Sequence, residues 1–249
     1  MQTEARRERA PGSRVGLVTA HLAETLRTVT PAGAAAQVLD CGGGSGAYAV
    51  ALAATGADVT VVDISADALA TLRRRADEAG VSASVHAVAG DVEALAELVG
   101  DRRFDAVLAH GILDAVDRVG DTFAAMAALV RPGGLLSVLV ANPVAAVIAR
   151  ALAGEPVAAL ADLRRLDAVA DTTADHAGPA AVVALGERAG LTVASRRGIG
   201  VFSDLVPGSA GDTARGREAV AALDAEAAGR SPFAELAGRI HIVLRRPSA

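Results

Sequence analysis

Five apolar, β-branched runs punctuate the chain at residues 37–41, 59–64, 84–89, 104–109 and 135–141. Between them lie alanine- and leucine-rich stretches of helix length at 47–54, 66–79, 92–99 and 121–130. Strands that read apolar on both faces and alternate with helices predict a mostly parallel sheet covered on both sides, a doubly wound α/β fold. Ahead of them Val15, Val18, Leu22 and Leu26 recur at helical spacing, which predicts an N-terminal helix over 14–30. After residue 141 the rhythm breaks. Residues 143–177 carry two helical stretches and no strand, and read as a helical cap insertion. A helix at 179–189 and a strand at 191–195, continuing through 199–202, resume the cycle. A second helical insertion over 205–238 precedes the last strand at 239–244. With no internal repeat or linker, the expectation is a single domain over 1–249.

Composition narrows the functional classes. In 249 residues, 52% apolar and 21% charged, one full core and its insertions can be buried, but hardly two large cores. The single cysteine excludes a disulfide framework, and five scattered histidines without metal-ligand spacing predict no metal centre. Net charge is -5, all 24 basic residues are arginine, tryptophan is absent and Tyr48 is the only tyrosine. A nucleic-acid binder usually shows a basic balance and stacking aromatics, and neither is evident. The N-terminal stretch has no apolar run of a signal peptide, and the longest apolar stretch, 135–149, is cut by Asn142 and Pro143. A cytoplasmic protein with no membrane partner is expected.

The sharpest local signal is Val38-Leu39-Asp40-Cys41-Gly42-Gly43-Gly44-Ser45-Gly46, a strand running into a glycine turn that opens a helix. Glycines let backbone pass close to a ligand where a Cβ would collide, and the helix start offers unpaired N–H groups. Gly42, Gly44 and Ala47 also satisfy a dinucleotide fingerprint, so a nicotinamide cofactor stays open. Asp40 weighs against it: a carboxylate there repels a pyrophosphate but suits an ammonium. Asp63 ends the second strand, where a carboxylate can accept hydrogen bonds from both hydroxyls of a ribose; Ser65 is the better helix cap. Asp91 follows the third strand and faces an adenine edge, or caps the next helix. The fourth strand delivers His110 to the same rim. Residues 130–134, Val-Arg-Pro-Gly-Gly, read as a structural turn launching the fifth strand.

Taken in order, LDCGGGSG, VVDIS, AGDV, FDAVLAHGILDAV and LVRPGGLLSVL resemble a class I S-adenosylmethionine-dependent methyltransferase over residues 36–141. The phrases AHGILDAV, GVFSD and GRIHIVLRRP extend the likeness over most of the chain and are similar to the tRNA 5-carboxymethoxyuridine methyltransferase family. The resemblance implies a Rossmann-like fold with an antiparallel last strand, and S-adenosyl-L-methionine as cofactor. It implies cofactor contacts at Gly42, Gly43, Gly44, Asp63, Ile64, Gly90, Asp91, Val92 and His110, with Asp40 facing the methionine end.

Departures from that family matter on the acceptor side. Its members place an arginine in the N-terminal helix region against the cofactor carboxylate; here the stretch reads Gly16-Leu17-Val18-Thr19, and Arg14 is the nearest substitute. Its lysine-rich cap run becomes the nearly neutral 161–167, and its R-V-F-H-D-Y pattern becomes Gly200-Val201-Phe202-Ser203-Asp204-Leu205. Methyl transfer needs a base only for a hydroxyl or protonated amine. His110 and Asp204 are the catalytic candidates, with His241 and Asp114 behind them; His110 reads as a cofactor contact first, and Asp204 alternatively pairs with Arg196 or Arg197. Four functions follow. The first is a methyltransferase acting on a small-molecule acceptor. The second is one acting on a modified wobble uridine in tRNA, with phosphates held by Arg6, Arg7, Arg9 and Arg14. The third is an NAD-dependent oxidoreductase. The fourth is a cofactor-binding regulatory protein without catalysis.

Overall fold

The computed structural model describes residues 13–169 and 178–248. It opens with α1 (Arg14–Val29), whose first turn is capped by the Ser13 hydroxyl accepting from the Gly16 N–H. The alternation expected from the sequence follows: β1 (Gln37–Cys41), α2 (Ala47–Ala53), β2 (Asp58–Asp63), α3 (Ala66–Ala79), β3 (Val85–Ala89), α4 (Leu95–Val99), β4 (Phe104–His110), α5 (Val119–Leu129) and β5 (Val130–Ala141). Two helices come next, α6 (Pro143–Leu152) and α7 (Pro156–Val169), then α8 (Pro179–Arg188), β6 (Thr192–Ile199), α9 (Ala214–Ala227) and β7 (Arg239–Arg245). Residues 170–177 of the expected cap lie outside the described residues.

The seven strands lie in the order β3-β2-β1-β4-β5-β7-β6. β1 to β5 are parallel, and β7 inserts antiparallel between β5 and β6. The chain moves outward from β1 to β3, then crosses back to β4 on the other side of β1. This reversal opens a crevice at the carboxyl ends of β1 and β4, where open α/β sheets take their ligands. Each face of the sheet carries its own core. On one, Val38, Val59 and Leu108 pack under Val18 and Leu22 of α1, Val50 and Leu52 of α2 and Leu69 and Leu72 of α3. On the other, Leu39, Val107 and Val138 pack under Leu95 of α4, Phe123 and Met126 of α5 and Val182 of α8. No described helix is long and apolar enough to cross a membrane.

Three boundaries differ from the sequence reading. Residues 92–94 form a 3-10 turn before the short α4, because the Asp91 carboxylate accepts from the Glu93 N–H and tightens that start. The turn expected at 130–134 is absorbed into β5 as an irregularity: Phe104 pairs with Val130 but Ala106 with Leu135. Arg131 in this bulge reaches Asp105 at 2.5 Å and the Val29 carbonyl at 2.6 Å, tying β4, β5 and α1 together, so its role is structural. β6 ends at Ile199, not at Phe202, because Gly200 turns left-handed with φ of 78° and the Phe202 N–H goes to the Asp224 carboxylate at 2.6 Å.

Candidate functional site

Register brings the chemistry to the carboxyl edge. Asp40 pairs with Val61 on one side and with Leu108 on the other, Asp63 pairs with Ala89, and His110 pairs with Leu139. Three acids thus stand at or beyond the ends of β1, β2 and β3, and His110 ends β4.

The glycine turn between β1 and α2 folds over Asp40. Gly42, Gly44 and Gly46 take left-handed φ values of 67°, 54° and 77°. Gly43 needs its missing side chain for another reason: a Cβ there would lie 2.5 Å from Asp40 Oδ2 and 2.8 Å from Val61 Cγ1. The Asp40 side chain is therefore sealed under the turn, with 1% of the residue exposed, and its Oδ2 has no hydrogen-bond partner. Burial, reinforced by the nearby Asp63 charge, pushes its carboxyl up to about 7. A buried carboxyl with an unused oxygen under a glycine turn fits a cationic ligand group.

Asp63 is held from two sides. Its Oδ2 accepts from the Gly44 N–H at 2.8 Å, and its Oδ1 from the Ser65 N–H at 2.8 Å. Ser65 itself caps α3, accepting from the Ala68 N–H. Both Asp63 oxygens keep a free lone pair, so a vicinal diol can still be received. Ile64 beside it is 76% exposed, an apolar side chain presented to solvent at the rim. Asp91 is exposed and caps the 3-10 turn, whereas Val92 is buried in the core and can offer a ligand only its main chain. At Gly90 a Cβ would meet Leu98 at 2.5 Å, so this glycine serves packing.

His110 is partly buried, with Nε2 on the Ser137 hydroxyl at 2.8 Å, Nδ1 buried without a partner, and the Tyr48 ring edge-on at 4.5 Å. Burial lowers its pKa to about 3, so the ring is neutral at physiological pH. Arg14 and Asp204 do not stand apart: they pair at 2.5 Å and join the start of α1 to the segment after β6. Asp204 thus finds Arg14, not Arg196 or Arg197. Asp114 is exposed in the turn after β4. The sequence reading passed over Ser137, Tyr48 and His21; a lone serine inside the apolar run 135–140 was the one available signal for Ser137. A separate hollow at the amino ends of β1 and β2, between Leu26, Pro31 and Thr55, holds no ionisable side chain but Arg27 and lies away from this crevice.

Comparison with known proteins fits this geometry. Residues 38–134 match the model of a methyltransferase domain. The chain is 27% identical over 222 residues to the tRNA 5-carboxymethoxyuridine methyltransferase of Escherichia coli K12, covering 86% of this chain and 81% of that one. It is 39% identical over 98 residues to the ubiquinone biosynthesis O-methyltransferase of Aromatoleum aromaticum, covering 39% of this chain and 41% of that one. The CcbJ methyltransferase structure from Streptomyces caelestis shares the fold, with a TM-score of 0.60 and 19% identity over 94% of this chain and 90% of that one. The choice that the glycine turn left between a nicotinamide and a sulfonium cofactor is thereby made: the chain carries a class I S-adenosylmethionine-dependent methyltransferase domain.

Proposed function

We propose that this methyltransferase acts on a small-molecule acceptor received at the carboxyl ends of β4 and β5, beside α6 and α7. The charge state of these two helices carries the reading. Asp162 pairs with Arg150 at 2.9 Å and also with Arg165, so both arginines are met by a carboxylate of the cap itself and not left for phosphates. The same helices expose Val144, Leu152, Val157, Leu160 and Leu163, an apolar surface suited to an organic acceptor.

In this reading the cofactor's ribose hydroxyls are accepted by Asp63 and its amino group is drawn to Asp40. Ile64 and the Val92 main chain flank the adenine, with Asp91 at its edge. Gly42, Gly43, Gly44 and Gly90 keep the surrounding backbone bare, His110 adjoins the methionine end, and Arg14 reaches the carboxylate on leaving Asp204. When bound, the cofactor supplies a methyl group on a sulfonium whose departure leaves a neutral thioether. The protein's contribution is then mainly to hold the acceptor in line, worth up to roughly 7 to 11 kcal/mol in well-oriented cases.

A second reading, a modified wobble uridine in tRNA, is favoured by the similarity to the Escherichia coli enzyme over most of both chains. Of the arginines expected to hold phosphates, Arg14 is paired with Asp204, and Arg6, Arg7 and Arg9 lie outside the described residues. Incubation with methyl-labelled S-adenosylmethionine and, separately, a protein-free small-molecule extract and total tRNA distinguishes the two. Label in the small-molecule fraction is expected. Label in tRNA alone, with affinity falling steeply as salt rises, overturns the first reading in favour of the second.

A further inference from the structure

His110 is one end of a longer chain of buried polar side chains, lying between α1 and the sheet. Its Nε2 meets Ser137 Oγ at 2.8 Å; Ser137 Oγ meets His241 Nε2 at 2.8 Å; His241 Nδ1 meets His21 Nδ1 at 3.1 Å; and His21 Nε2 meets Ser195 Oγ at 3.1 Å. The five groups come from β4, β5, β7, α1 and β6 in that order. Ser137 and His241 are wholly buried and His21 nearly so, whereas Ser195 is only partly buried at the far end. Fold stability alone does not require polar groups here, since replacing both partners of a buried hydrogen bond by apolar groups of the same shape can be nearly neutral.

The donors and acceptors can be oriented in one direction throughout. With Nε2–H on His110, Ser137 accepts it and donates to His241 Nε2; His241 donates from Nδ1 to His21 Nδ1; His21 donates from Nε2 to Ser195. That arrangement leaves a bare lone pair on His110 Nδ1, which is buried without a partner at the end of the seam nearest the carboxyl edge of β4. Shifting one proton along every link reverses the set and delivers a proton at Ser195.

We propose that this seam is a proton path that drains the acceptor, and that the acceptor atom is therefore a hydroxyl oxygen. The inference rests on the small-molecule methyltransferase reading above. As an oxygen lone pair forms the new C–O bond, the S–CH3 bond breaks with its electron pair remaining on sulfur. The hydroxyl proton passes to His110 Nδ1, the Tyr48 ring turning aside to admit the oxygen, and one proton leaves at Ser195. The positive charge of the sulfonium thus exits as that proton. A carboxylate acceptor has no proton to lose, and a protonated amine holds its proton too tightly for rings as weakly basic as these. An alkylated hydroxyl is strongly acidic, so a weak base suffices.

The surroundings keep the rings neutral and the transfer concerted. Burial lowers His21 to about 4, with Arg197 of β6 adding to the effect and Glu24 of α1 opposing it. Burial, His110, His21 and Arg197 all lower His241. Tyr48, beside His110, feels Asp40, Arg239 and Arg14, and burial pushes its hydroxyl up to about 12, so it does not compete for the proton. No group of three or more described histidine, cysteine and carboxylate side chains is arranged to hold a metal ion.

The test uses the full chain. Nitrogen-15 spectra of the histidine rings in the free protein at pH 7 are expected to show three neutral rings in a one-directional tautomer set. Ser137 accepting from both His110 and His241 would overturn the path. With S-adenosyl-[methyl-13C]methionine and a protein-free small-molecule extract, the labelled product is expected to be a methyl ether. Ser137→Ala and the remote Ser195→Ala are expected to lower kcat about 100-fold and about tenfold respectively. Cofactor affinity should stay within twofold, and Ser137→Thr, which keeps the hydroxyl, should restore the rate. A methylamine or methyl ester product, or ether formation at an unchanged rate in both alanine variants, overturns the proposal while leaving the small-molecule reading intact. No label in the small-molecule fraction overturns both.

Discussion

Two regions meet at the ends of β1 and β4, and they are built on opposite principles. The β1–β3 edge is made of charges facing water: Asp63 and Asp91 are anchored by backbone N–H groups, and their remaining lone pairs are open. The histidine seam is made of neutral rings largely withdrawn from water, each nitrogen engaged except His110 Nδ1 at the site end. Asp40 belongs to the first region by position and to the second by burial. An edge of solvated acids can attract and hold a ligand, but it cannot carry a proton away through the fold. A sealed chain of neutral bases can do so, but holds nothing by charge.

The separation is broken most forcefully at the glycine turn. In Gly43→Ala the new methyl would stand 2.5 Å from Asp40 Oδ2 and 2.8 Å from Val61 Cγ1, both packed beneath it. The strand and turn must part to admit it, at about 1 to 3 kcal/mol of stability. Cofactor affinity measured by calorimetry is expected to fall about 100-fold or more, equivalent to ~2.7 kcal/mol. The acid sensitivity of the seam should be unchanged, because none of its residues touches Gly43. An affinity within threefold of the parent would detach the turn from the cofactor.

Asp63→Ala is a milder cut on the same edge. Hydrogen bonds to a charged acceptor contribute roughly 1.5 to 3 kcal/mol, so a tenfold or greater loss of cofactor affinity is expected, with the fold retained. Ser65 still caps α3 in this variant, which limits the structural damage. Unchanged affinity would remove Asp63 as the ribose acceptor.

These two positions show what could be read from sequence. An acid two residues before a glycine turn, and another at the next strand end, are local patterns, and so is the strand–helix alternation that produced the sheet. The antiparallel direction of β7 entered through family resemblance, since apolar periodicity says nothing of strand direction, and its place between β5 and β6 came only from the structure. Of the seam, His110 and His241 were named as candidate bases, but their connection was illegible. His21 sits in a helical stripe between Val18 and Leu22, Ser137 in an apolar strand, and His241 more than a hundred residues further on. Only the register of β4, β5, β7 and β6 beneath α1 brings them into line. The pairing of Asp204 was misread for the same reason, as its partner Arg14 comes from the far end of the chain.

The opposed ionisation of the two regions gives a third measurement. His21, His110 and His241 have folded pKa values below their unfolded ones, so their contribution is complete above about 6.5 and is lost progressively as pH falls below it, through about 4 for His21 and about 3 for His110. Asp40 is raised to about 7, so it runs the other way: its contribution is complete below the unfolded value near 4 and is lost as pH rises through about 7. Between these limits the unfolded chain binds up to three more protons at the histidines and one fewer at Asp40. Stability of the free protein should therefore fall as pH is lowered from 6.5 to 4. Asp40→Asn should steepen that fall by about one proton, or ~1.4 kcal/mol per pH unit. An unchanged or shallower slope in Asp40→Asn would mean that Asp40 is ionised in the free protein.

The smallest effect is expected at the surface, where the start of α1 is tied to the segment after β6. Arg14 pairs with Asp204 in the open, with their side chains 47% and 31% exposed, so the bond is screened and both side chains lose freedom in making it. Arg14→Ala should cost at most about 1 kcal/mol in urea unfolding, and less as salt is added. Its effect on the cofactor is the sharper reading. If Arg14 leaves Asp204 for the cofactor carboxylate, the variant loses a contact whose formation first breaks an existing one, and affinity should drop only about threefold. Asp204→Ala, which frees Arg14 in advance, should raise affinity by a similar factor. A fall in both variants would mean that the closed pair itself shapes the site, by fixing the start of α1 against the segment after β6.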